Sequence, residues 1–267
     1  MNTAATYTTP SHTARRLLAL VVGGVCLFPF IYLLLLSLAE AWPFPRLLPE
    51  AVSLDLWQRM LTGPTALGAS LLLSLSVSTV VALCSTLAGY VTGRFMAYHP
   101  RRNALLFLAY IPFVMSPVIL GTTLMYLYLK AGLVGNVLGV MVGQTMFAYG
   151  FAIVFFSAFW TQRVRALEDL VYTLGGSPMQ AYRHVLLPIS KTMLLICFFQ
   201  TFLISWFQYG LTLLIGAGKV QTLPIKVYDY VNEANIFYAA LASCLLVLPP
   251  ALLLWLNKRY VFRSTQA

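Results

Sequence analysis

The chain is short of charge: 9% of its 267 residues are Asp, Glu, Lys or Arg, and acids are the scarcer sign, seven against seventeen bases. Soluble domains carry about 25% charged residues, so water is not the main solvent of this polypeptide. Histidine is scarce too. His12, His99 and His184 all lie outside the long apolar stretches, so none can serve as base to a buried nucleophile such as Ser70 in Gly68-Ala69-Ser70, and an intramembrane serine protease is excluded. There is no His-Glu-x-x-His run for zinc. Gly218-Lys219 is followed by Val220, and Leu213 stands where a phosphate loop needs its first glycine, so the chain cannot drive itself with ATP through such a loop. The four cysteines, Cys26, Cys84, Cys197 and Cys244, fall in four different apolar stretches with no paired spacing. That excludes a clustered metal or redox site and leaves them as small packing residues. No cofactor is expected.

What the chain has is hydrophobicity, 60% of residues with a mean hydropathy of +0.82. Charges interrupt it so that uncharged stretches run over Leu17 to Ala39, Met60 to Gly93, Asn103 to Leu129, Ala131 to Gln162, Thr192 to Gly218 and Ala234 to Asn257. Each is longer than the roughly 20 residues that cross a hydrocarbon core. The expected fold is therefore all-α, a polytopic membrane protein with six transmembrane helices over residues 17–260, flanked by tails at 1–16 and 261–267. Arg15 and Arg16 followed by a long apolar run and Ala39-Glu40-Ala41 faintly resemble a signal peptide. The apolar run exceeds the about 7 to 15 residues of such a peptide, so an uncleaved first helix is expected.

The basic residues sort by side. Arg15 and Arg16, then Arg94, Arg101 and Arg102, then Arg163, Arg165, Arg183 and Lys191, and finally Lys258, Arg259 and Arg263 would share one face. Arg46, Arg59, Lys130, Lys219 and Lys226 fall opposite, with five of the seven acids. Positive-inside bias then puts both termini in the cytoplasm. The same partition accounts for the formal charge of +10 without nucleic acid.

Proline and glycine mark the boundaries. Gly63-Pro64 should start the second helix near Thr65. Pro112 and Pro117 should kink the third, and Gly132 and Gly135 belong to a tight turn. Gly135, Gly139 and Gly143, spaced by four, should let another helix approach the fourth closely.

The segment 163–190 differs from the other linkers. Leu167, Leu170, Val171 and Leu174 recur at helical spacing, with Glu168 and Asp169 near the start. Gly175-Gly176 ends that helix. Ser177 can cap a second one with Pro178 at its first position, and Pro188 should stop it.

Glu168, Gly175 seven residues on, then Val185 and Leu187-Pro188 resemble the signature loop of binding-protein-dependent ABC importer permeases. In that loop a Glu-Ala-Ala run precedes a spaced Gly and Ile-x-Leu-Pro; here Asp169 and Leu170 replace the two alanines. Ser70 through Arg94, Ile111-Pro112 to Gly121 and Thr222-Leu223-Pro224 extend the similarity, most closely to permeases for polyamines, ferric iron or phosphonates. The resemblance implies the type I ABC permease fold and solute import by alternating access. It also implies as partners an ABC ATPase subunit, a second permease, identical or homologous, and an extracytoplasmic solute-binding protein. Glu168, Asp169, Gly175, Gly176, Val185, Leu187 and Pro188 would form the loop seated on the ATPase, with the charge of Glu168 offered to it. The other reading of six helices is an ion-coupled secondary transporter or channel subunit. Such proteins place ionisable groups at membrane depth, and these stretches hold none. Polar and aromatic candidates for the solute path are Ser116, Thr122 and Thr123, Gln144 and Tyr149, and Gln200, Trp206, Gln208 and Tyr209, of which Trp206, Gln208 and Tyr209 form the best group.

Overall fold

The computed structural model describes residues 12–42, 46, 49, 51–62 and 66–260. Of the expected tail at 1–16, residues 1–11 lie outside the described residues and 12–16 open α1, while the tail at 261–267 and the helix stop at Gly63-Pro64 lie outside them. The chain begins with α1 (His12–Leu38), followed by a two-stranded antiparallel ribbon of β1 (Ala39–Ala41) and β2 (Ala51–Val52) and by α2 (Asp55–Thr62). The long α3 (Ala66–Tyr98) leads to α4 (Arg102–Val114), α5 (Pro117–Lys130) and α6 (Val137–Phe159). A surface segment follows, made of α7 (Gln162–Thr173), the short α8 (Pro178–Gln180) and a π-helical turn, Ala181–Leu186. This turn runs directly into α9 (Leu187–Trp206), after which come α10 (Gly210–Gly216), α11 (Leu223–Asn232) and α12 (Ile236–Tyr260).

Among the described residues, five helices are long and apolar enough to cross a membrane. α4 and α5, which meet at a 95° bend, make a sixth when the pair is counted as one span. The cause is local: Met115 and Ser116 are extended (ψ 142° and 137°), as the residue before a proline tends to be, and Pro117 opens α5. Pro112, by contrast, stays inside α4. The expected kink at Pro117 is thus a full break, while Pro112 lies in the last turn of α4.

The fifth stretch also differs from a single span. α9 ends at Trp206 and α10 starts at Gly210, where a Cβ would lie 2.6 Å from Val118 Cγ2. The first turn of α5 therefore packs against this second break. Gly135 precedes α6 rather than belonging to it and has φ +72°. A Cβ at Gly143 would stand 2.8 Å from Ile215 of α10, so this glycine does admit a close neighbour.

The centre of the bundle is α3 against α6. A Cβ at Gly89 would sit 2.5 Å from Ala152 Cβ, and one at Gly93 would sit 2.8 Å from Phe156 Cβ. Only glycine lets the two backbones come this near. α9 lies along the same pair, and α12 joins it through the Trp206 indole, which donates to the Leu246 carbonyl at 2.9 Å. α1 packs on α12 and leaves most of its apolar surface exposed, as suits a helix whose solvent is lipid. Cys197 is buried, Cys244 half-buried, and Cys26 and Cys84 are exposed.

Candidate functional site

Two regions carry the candidate residues. The first is the surface segment between α6 and α9. α7 ends in a Schellman turn: the Gly176 N–H donates to the Val171 carbonyl at 2.9 Å and that of Gly175 to the Tyr172 carbonyl at 3.0 Å, with Gly175 at φ +81°. Gly176 has no room for a side chain, since a Cβ would lie 2.5 Å from Val171 Cγ1. Ser177 and Gln180 then form a reciprocal cap, with Gln180 N–H donating to Ser177 Oγ at 3.3 Å and Ser177 N–H to Gln180 Oε1 at 2.7 Å.

Pro188 does not stop the second helix. The turn from Ala181 to Leu186 widens to π spacing and continues into α9. The widening accommodates the proline ring and its missing N–H, which a regular helix does not. The segment is therefore a rigid extension of a membrane-spanning helix at one end and a capped glycine turn at the other.

Glu168 is not where a charge for an outside partner would be. It is buried, accepts from the Arg94 guanidinium of α3, and accepts from the Tyr172 hydroxyl at 2.7 Å. That hydrogen bond to the carboxylate, ahead of burial, raises the Tyr172 phenol above its ordinary value. Among the exposed groups of the segment are large apolar ones: Leu174 is 80% and Met179 70% exposed, beside Leu170 and Tyr182. Asp169 is exposed, Val185 and Leu187 half-buried, and Pro188 exposed. Sequence reasoning missed Arg94 as a functional candidate and took it only as part of the charge bias. The available signal was Tyr90-x-x-x-Arg94-x-x-x-Tyr98, a polar row ending an apolar helix.

The second region is polar and lies within the bundle. Gln144 of α6 donates to Thr212 Oγ1 at 2.8 Å and accepts from Ser205, whose hydroxyl is 3.3 Å from that of Ser78. Thr212 donates on to the Gln208 carbonyl at 3.0 Å. Leu223 N–H donates to Ser74 Oγ at 2.7 Å, which fixes the loop after α10 to α3. These bonds satisfy polar groups buried between the helices. Trp206 is fully committed, stacked on Phe202 at 5.7 Å and hydrogen-bonded to α12. Gln208 and Tyr209 occupy the break between α9 and α10, and the Tyr209 ring stacks on Tyr228 at 4.1 Å. Ser116 and Thr123 are exposed on the bent pair, Thr122 and Gln200 are exposed, and Tyr149 is half-buried. The packing of Val118 on Gly210 brings the Ser116 end of α5 to the level of Gln208 and Tyr209.

The family model for the binding-protein-dependent transport system inner membrane component matches residues 85–265. The chain belongs to this family. It is similar to the putative 2-aminoethylphosphonate transport system permease protein PhnV of Salmonella typhimurium, 24% identical over 92% of this chain and 95% of PhnV. It is also similar to the trehalose transport system permease protein SugB of Mycobacterium tuberculosis, 24% identical over 80% of each chain. The probable transport system permease protein NifC of Clostridium pasteurianum is 28% identical over 54% of this chain and 56% of NifC. The chain is thus a membrane-spanning permease of an ABC importer and not a secondary transporter or channel. The matched range takes in the surface segment, both breaks and, of the buried polar cluster, Gln144, Ser205 and Thr212.

Proposed function

We propose that this permease moves a small polar solute inward by alternating access, driven by a separate ABC ATPase that seats the segment 162–186. The observation that carries this reading is the shape of that segment: an amphipathic helix, a Schellman turn and a capped second helix continuous with α9, with Leu174 and Met179 bare at its apex. Exposed apolar side chains on a rigid projection fit an interface rather than solvent. The glycine turn and cap fix the angle between the two arms. The ATPase subunit, a second permease, identical or homologous, and an extracytoplasmic solute-binding protein complete the transporter.

Both termini and the segment 162–186 are assigned to the cytoplasm, on the division of basic residues. The solute path is assigned to the level where the α4–α5 and α9–α10 breaks meet, since interrupted helices at membrane depth occur where backbone lines a cavity. Gln208 and Tyr209 are its central candidates, with Ser116 and Thr123 on the bent pair. Gln144 and Trp206 act there by holding the surrounding helices. Trehalose and 2-aminoethylphosphonate, named for two relatives, mark the range of small polar solutes to be tried.

The test is reconstitution with the ATPase, second permease and binding protein in proteoliposomes. The reading expects ATP hydrolysis stimulated by solute-loaded binding protein, and no uptake driven by an ion gradient alone. Gradient-driven uptake without ATP contradicts it.

A further inference from the structure

Tyr90, Arg94 and Tyr98 are spaced by four along α3, which lines them up on one face. Each reaches the surface segment or its attachment. The Tyr90 and Ser190 hydroxyl oxygens are 3.0 Å apart, and the Tyr90 ring meets Tyr182 of the π turn at 6.3 Å. Tyr98 donates to the Thr161 carbonyl at 3.1 Å and lies 5.3 Å from the Arg165 guanidinium. Between them Arg94 pairs with Glu168, its guanidinium 5.6 Å from the ring centre of Trp160. Trp160 is itself buried and donates its indole N–H to the Tyr90 carbonyl at 3.2 Å.

Among the described residues, Arg94–Glu168 is the one side-chain hydrogen bond between α7 and a membrane-spanning helix. The Glu168 side chain is 7% exposed and that of Arg94 37%. Parting such a pair strands a carboxylate in a poorly solvated site, a far larger penalty than breaking an exposed pair. The aromatic contacts beside it can slide at lower cost. Beyond this point the glycine contacts at Gly89 and Gly93 fasten α3 to α6, so a displacement delivered at Arg94 reaches both helices at the centre of the bundle.

We propose that the Arg94–Glu168 pair, seated on Trp160, is the joint through which movement of the segment 162–186 is passed to α3. Arg94 is then a positioning residue for transport. The proposal rests on the reading of that segment as the seat of the ATPase.

The experiment uses the complete transporter in lipid nanodiscs, with spin labels carried by encoded residues at Thr173 on α7, Leu87 on α3 and Leu252 on α12, all exposed positions. Distances are measured without nucleotide and with ATP plus vanadate. In the wild type the Thr173–Leu252 distance should shift while Thr173–Leu87 stays narrow and fixed. Arg94→Gln should let Thr173–Leu87 broaden and shift with nucleotide, and Arg94→Lys, which keeps the charge, should restore the narrow distribution. A merely structural role would not give this nucleotide-dependent slip or its rescue. An Arg94→Gln transporter with Thr173–Leu87 as fixed as in the wild type overturns the joint and leaves the ATPase seat standing, as does a wild type in which that distance changes freely. No response of Thr173–Leu252 in the wild type overturns both. If Arg94→Gln does not assemble, Glu168→Gln is judged by the same distances.

Discussion

Gly89 and Ala152 meet where α3 packs on α6, and a Cβ on Gly89 would lie 2.5 Å from Ala152 Cβ and 3.0 Å from its carbonyl carbon. The obstacle is largely backbone, so it cannot rotate away. Gly89→Ala should destabilise the protein by about 1–3 kcal/mol, the usual cost of overpacking. Gly24→Ala, with nothing within 4 Å, should not. Thermal unfolding of the two variants in detergent checks the difference.

Trp206 and Gln208 stand two residues apart, but the structure gives them different work. Trp206→Ala removes a stacked, hydrogen-bonded side chain from the α9–α12 contact and should cost about 2 kcal/mol or more through the cavity it leaves. Gln208→Ala truncates a smaller buried side chain and should cost less in unfolding than Trp206→Ala while altering solute affinity in uptake assays. The reverse pattern would move the path away from the α9–α10 break.

The Tyr172 phenol titrates above its ordinary value because its neutral form donates to the Glu168 carboxylate. A raised pKa in the folded state means that this hydrogen bond is intact below the unfolded value of about 10 and is lost as pH rises through the folded one. Spectrophotometric titration of the Tyr172→Phe difference should place this tyrosine high, and Glu168→Gln should lower it. Neutral pH should leave the contact untouched.

Cysteines placed at Ser53 and Asn232 should react with an impermeant reagent from outside intact cells, and one at Ser177 should be protected. This follows from the basic residues gathered around Arg94, Arg101, Arg102, Arg163 and Arg165. Labelling at Ser177 would invert the orientation and remove the segment from reach of a cytoplasmic ATPase.

The helix count was legible because each span is a long uncharged run, and the surface segment because its glycines, cap and apolar spacing are local features. What failed to show was three-dimensional. Pro188 looked like a stop, but a π turn carries the chain past it into α9. Thr192 to Gly218 looked continuous, but the packing of Gly210 on Val118 goes with a break that no proline announces. Glu168 looked like a surface charge near a helix start; its partner, Arg94, lies 74 residues away in sequence, so no local pattern exposes it. Gln144 and Ser205 likewise meet only after α6 and α9 are packed.

The central claim, a permease driven by a separate ATPase through the segment 162–186, is tested most directly at its apex. The amount of ATPase co-purified with the permease is compared for the wild type and for Leu174→Asp combined with Met179→Asp, at matched membrane expression. Both side chains are exposed, so the permease should still fold. The account predicts that the wild type retains its ATPase and the variant loses most of it, together with binding-protein-stimulated hydrolysis. Full retention of both by the variant would contradict it.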